Sequence, residues 1–195
     1  MTGTDDWSDR SDWLEGHLFD RRIVVLRGPL DDATATRLAS QLMTLDATGD
    51  DAVQLQLDSP GGPLEAAFAV VDVIDALGVP VTVTCMGRVE GSAAAVVAVC
   101  SRRLAMPHTR FRLCDPDASF EARASQIASL VEHHQWAYQR YHERLALGTG
   151  QRVETVAAAC EAGRWMDAGE AIAFGLIDEI VRPQRASVRA LPGFG

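Results

Sequence analysis

The chain has no apolar run longer than Ala93–Cys100, far short of the roughly 20 residues that cross a bilayer, and it opens on Thr, Asp, Trp and Ser, not on a basic segment leading into an apolar one. These absences argue against membrane insertion and secretion, so a cytoplasmic protein is expected. Cysteine is sparse: Cys85, Cys100, Cys114 and Cys160 lie far apart with no C-x-x-C pair, which argues against both a zinc site and a dense disulfide framework. Buried, reduced thiols are expected. Positive charge is short as well. The formal net charge is -9, and the pairs Arg21-Arg22 and Arg102-Arg103 form no basic stripe, so nucleic acid is not an expected partner. No internal repeat and no cofactor-binding pattern is present. Three histidines, His133, His134 and His142, fall on one predicted helix. Only His134 and His142 approach a common face, and neither has a carboxylate spaced as in H-E-x-x-H, so no metal is expected.

What is present is a succession of short apolar strands and amphipathic helices in 195 residues, 47% of them apolar, enough for one domain with a full core. "RRIVVLRG" reads as a buried strand ended by Gly28-Pro29, and Asp31 or Asp32 caps the helix that follows, with Ala35, Leu38, Ala39, Leu42 and Leu45 on one face. "AVQLQLDSPGG" alternates and then breaks. Pro63 is read as the first position of a helix faced by Leu64, Ala67, Phe68, Val71, Ile74 and Leu77, and "VTVTCM" is the next strand. This strand and helix alternation predicts right-handed parallel crossovers in an α/β layered sheet. Ligands in such sheets sit at the carboxyl ends of the strands, here "DSPGG" and "MGRVEGS". A long helix is predicted over 122–147, closed by Gly148, with an apolar face suited to packing on another subunit; shorter helices near 153–162 and 168–174 precede "GLIDEIV".

"LDSPGGPLEAAFAVVDVIDALGVPVTVTCMG", with "MPHTRFRLCDP", "GTGQRVETV" and "GRWMDAGEAIAFGLIDEIV", resembles the proteolytic subunit of the caseinolytic Clp protease, ClpP, over about residues 18–183. The resemblance implies a ClpP/crotonase-like layered parallel sheet with flanking helices and a long handle helix. Residues 1–17 are then an acidic leader and 184–195 a flexible tail. Active members resemble self-compartmentalised serine peptidases: two stacked seven-membered rings, fed by an ATP-driven unfoldase of the AAA+ class. The implied partners are further copies of this chain or active ClpP subunits, an unfoldase, and a peptide or protein substrate. The stretch "DPDASFEARAS" departs from the glycine-rich approach to the family's handle, and the leader departs from its axial loop.

Carried over residue by residue, the family's serine falls on Gly91, its histidine on Cys114 and its aspartate on Gly163. A serine peptidase needs a nucleophile, a base to take its proton and an acid to orient that base. A neutral thiol has no basic nitrogen, and losing the nucleophile or base of a triad costs about 10⁶-fold in turnover. The expectation is an inactive, structural or regulatory subunit. The resemblance also implies oxyanion-hole amides at Gly62 and Ser92, which need only backbone N–H groups. Two alternatives stay open: Ser92, one residue late, acting as a shifted nucleophile with His108 as base and Glu90, Asp115 or Asp117 as acid; and acid/base work by Glu90 and Asp115 beside the oxyanion hole, as in crotonase-like enzymes.

Overall fold

Strand β2 (Val53–Ser59) shows how the sheet is built: Val53, Leu55 and Leu57 are fully buried while Gln54 and Gln56 alternate with them on the more open side. The computed structural model describes residues 13–116 and 123–182 of the chain. Asp117, most of the predicted leader and the predicted tail lie outside them. β2 is flanked by β1 (Ile23–Arg27) and β3 (Val81–Glu90), and the sheet continues through β4 (Arg102–Ala105) to β7 (Glu179–Ile180), in the order β1-β2-β3-β4-β7 with every pairing parallel. Helix α1 covers residues 13–19, so the expected leader boundary at residue 17 falls inside a helix.

Helix α2 (Asp32–Thr48) begins where Asp31 accepts a hydrogen bond from the Thr34 N–H at 2.9 Å, which resolves the cap in favour of Asp31. Helix α3 (Leu64–Ala76) follows Pro63, which is the cap residue and not the first helical one; it buries Leu64, Ala67, Val70, Val71 and Ile74. Helix α4 (Ala93–Ala98) is buried along its whole length.

β3 does not end at Met86 as the sequence suggested; it runs on to Glu90. Leu57 pairs with Cys85 but Ser59 pairs with Val89, so the strand carries a bulge at Met86-Gly87. A Cβ at Gly87 would lie 2.8 Å from the Asp58 carboxylate, and that carboxylate accepts the Arg88 N–H on the far side of the bulge. The bend hands β3 from one neighbour to another. Residues 82–85 pair with β4, and residues 88–90 pair with β5 (Arg110–Leu113), which in turn pairs antiparallel with β6 (Arg164–Met166). The bulge thus marks where β3 leaves β4 and takes β5 as its neighbour.

A 3₁₀ turn (Ala124–Gln126) leads into helix α5 (Ile127–Thr149), 23 residues and about 34 Å long. It starts later than predicted and runs through Gly148. The two glycines of "GTG" have separate reasons. A Cβ at Gly148 would meet the Ala98 carbonyl at 2.3 Å, so this glycine lets α5 pack against α4, whereas Gly150, at φ 69°, is the left-handed cap that ends the helix. The residues of α5 buried in its own chain lie toward its C-terminal half: Ala137, Tyr141, Leu145 and Ala146. Helices α6 (Val153–Glu161) and α7 (Ala168–Phe174) complete the layer, α7 opened by a capping box between Asp167 and Glu170. The architecture is the α/β layered parallel sheet with flanking helices and one long helix that the sequence predicts. No helix among the described residues is long and apolar enough to cross a membrane.

Candidate active site

The carboxyl ends of β2, β3 and β5 meet around a cavity of about 380 Å³, lined by the Pro60–Pro63 turn, Glu90, Gly91, Ser92, Arg112 and the segment Cys114–Pro116. Both glycine-rich breaks singled out in the sequence are in its wall.

Of the three positions that residue matching assigns to the family's triad, Gly91 and Cys114 line this cavity, while Gly163 does not line it and lies beside Arg112, which does. A Cβ built at Gly91 would lie 3.6 Å from the Cys114 Sγ. Gly163 immediately precedes β6, whose first residue Arg164 pairs with Leu113, the residue before Cys114. Tyr141, fully buried on α5, fastens this corner: its hydroxyl donates to the Gly91 carbonyl at 2.8 Å, with the Cys114 carbonyl 3.5 Å away. Burial, reinforced by Cys160, Cys114 and Asp115 nearby, raises the Tyr141 phenol well above its ordinary pKa, so it stays a donor. Nothing in the local pattern around Tyr141, between Arg140 and His142 on the long helix, signals this role.

Ser92 is fully buried, and both of its hydrogen bonds are made to one backbone unit. Its Oγ accepts from the Gly62 N–H at 2.9 Å and donates to the Gly62 carbonyl at 2.8 Å. The amide expected to serve an oxyanion hole is thus engaged by the very hydroxyl considered as a nucleophile. His108 sits on the exposed turn between β4 and β5 and does not line the cavity. The structure does not bring Ser92 and His108 together.

Glu90 and Asp115 both line the cavity, but each has its own partner. Glu90 lies 3.7 Å from Arg88 and 3.8 Å from Arg112, while Asp115 Oδ1 lies 2.7 Å from His142 Nε2. Arg112 takes up the space next to Gly163: a Cβ at Gly163 would lie 3.5 Å from its Nη2. Its guanidinium stands 5.4 Å from the centre of the Trp165 ring, and its buried Nε has no hydrogen-bond partner among the described residues. Cys160 on α6 completes a group with Asp115 and His142, the three ligand atoms lying within 4.8 Å of one another. The helix spacing of the histidines could not reveal this group, because its other members come from a different helix and from the end of β5.

A sequence profile of the Clp protease family matches residues 7–184. The chain belongs to the Clp protease family. Among its relatives in that family are the ATP-dependent Clp protease proteolytic subunit 2 of Gluconobacter oxydans (strain 621H), 32% identical over 173 residues, covering 86% of this chain and 77% of the relative. Subunit 2 of Thermobifida fusca (strain YX) is 31% identical over 84% of this chain and 82% of its own. Subunit 3 of Rhizobium etli (strain ATCC 51251 / DSM 11541 / JCM 21823 / NBRC 15573 / CFN 42) is 31% identical over 87% and 89%. The layered sheet with its long helix is accordingly a ClpP/crotonase-like fold, and the chain is a Clp-protease-type protein of a serine peptidase family.

Proposed function

We propose that this chain is a catalytically inactive ClpP-type subunit, a pseudo-peptidase with a structural or regulatory role in a cytoplasmic Clp-type protease ring. The observation that supports the reading is that the cavity wall presents glycine at 91 and cysteine at 114, with a further glycine, Gly163, beside the lining residue Arg112. The backbone supports it further. Gly91 and Gly163 have φ of 50° and 59°, so a serine or aspartate placed there in this conformation costs roughly 1–2 kcal/mol each. The hydroxyl next in the chain, that of Ser92, is fastened to Gly62.

Such a subunit assembles with copies of itself or with active paralogues. In a mixed ring it lowers the number of cutting sites and contributes its own surface toward an unfoldase or adaptor. The exposed Ile127, Val131 and Trp136 along the outer half of α5 support a subunit contact by that helix. Native mass measurement at micromolar concentration, alone and mixed with an active ClpP paralogue, tests this reading. Rings containing the chain, with peptide hydrolysis that scales with the active paralogue only, are the expected result; a monomer under both conditions contradicts it.

A further inference from the structure

Beyond the end of β5, Asp115 faces two helices. His142 on α5 points Nε2 at Asp115 Oδ1 at 2.7 Å, and Cys160 on α6 brings its sulfur to within 4.8 Å of both ligand atoms. These donors stand on rigid elements. His142 follows Tyr141, which is anchored to the Gly91 carbonyl; Cys160 is 2% exposed; and α5 joins α6 through only three residues, Gly150 to Arg152. Solvent reaches the group along Asp115, which also lines the cavity.

One thiol, one imidazole and one carboxylate make a donor set suited to Zn²⁺ and poorly suited to Mg²⁺ or Ca²⁺, which take oxygen ligands almost alone. A tetrahedral Zn²⁺ with bonds of about 2.0–2.3 Å holds its ligand atoms about 3.3–3.8 Å apart. The Asp115–His142 contact would open by about 0.6 Å and the sulfur close by up to about 1.3 Å, movements that χ rotations supply without shifting a helix. We propose that Asp115, His142 and Cys160 form a binding site for a Zn²⁺-class divalent cation, with solvent from the cavity in the fourth position. On binding, the Cys160 thiol proton passes to solvent and the metal takes its place on sulfur. The ion would clamp α5 and α6 to the cavity wall that carries Cys114. This inference departs from the expectation of no metal, and it does not depend on the inactive-subunit reading.

The test is titration of the full-length, chelator-treated protein with Co²⁺, followed by absorption spectroscopy and competition with Zn²⁺. One ion per chain, a thiolate-to-cobalt charge-transfer band, and its loss on adding Zn²⁺ are expected. Cys160→Ser abolishes the band while circular dichroism stays that of the folded chain, and Cys114→Ser retains it. Because a buried cysteine variant can misfold, Asp115→Asn serves as the second probe. It keeps the band but weakens Co²⁺ binding at least about tenfold and removes the rise in melting temperature that Zn²⁺ gives the parent. No stoichiometric Co²⁺ binding by the parent, or a band that survives Cys160→Ser and disappears in Cys114→Ser, overturns the assignment.

Discussion

Ser92→Ala separates a structural hydroxyl from a catalytic one. The substitution removes two neutral hydrogen bonds, 2.9 and 2.8 Å long, that hold Gly62 and hence the turn opening α3 against the start of α4. A hydrogen bond of this kind contributes about 0.5–1.5 kcal/mol, and a polar group left unmet costs about 1–3 kcal/mol. Gly62 is only partly buried, so cavity water replaces some of what is lost. The net destabilisation is then about 1–3 kcal/mol, which in a domain of this size lowers the melting temperature by about 2–12 °C. Thermal melts of parent and variant at one fixed protein concentration give the answer, since assembly contributes by mass action. A hydroxyl poised for attack leads to the opposite expectation, because removing an active-site nucleophile usually leaves stability unchanged or raises it. A melting temperature that does not fall, together with loss of a measurable peptidase activity, would refute the structural role.

Three further outcomes follow from the packing and the charges. Gly148→Ala forces a Cβ to 2.3 Å from the Ala98 carbonyl and separates α5 from α4, lowering stability by about 1–3 kcal/mol in denaturant titration; Gly150→Ala has open space around it and shows only the roughly 1–2 kcal/mol of a left-handed alanine. Burial raises the pKa of Asp178, but its hydrogen bonds to Arg103 and the charges of Arg103 and Arg102 outweigh that and hold it below 3.8. Its contribution is therefore full above the unfolded-state pKa and is lost as pH falls through the lower folded value. Below about pH 4 the parent loses stability more steeply than Asp178→Asn, as acid titration of the melting temperature shows. Among the thiols, burial pushes Cys85 up beyond the range of ordinary thiols and both Cys100 and Cys160 up to about 12. Iodoacetamide at pH 8 accordingly labels Cys114, on the cavity wall, well before the other three; equal rates by peptide mapping would contradict this.

The parallel sheet, its helices and the location of the cavity were legible in the sequence because each rests on local pattern: alternation in Val53–Leu57, a cap at Asp31, glycine-rich breaks after two strands. What could not be read depends on partners distant in the chain. The continuation of β3 past Met86 follows from its pairing with β5, and the reason for Gly148 lies on α4, 50 residues earlier at Ala98. The bond from Ser92 to Gly62 spans 30 residues and occupies an amide that residue matching alone treated as open. In the same way, Asp115 and His142 were each noticed in isolation, but the group they form with Cys160 exists only once α5, α6 and the end of β5 are packed together.

The most direct test of the central claim is the intact mass of the purified chain after exposure to a fluorophosphonate probe, with an active ClpP labelled in parallel. The account predicts no adduct on this chain while the control is fully modified, since among the described residues no base hydrogen-bonds Ser92 and its hydroxyl is committed to Gly62. A single adduct mapped to Ser92 would contradict it.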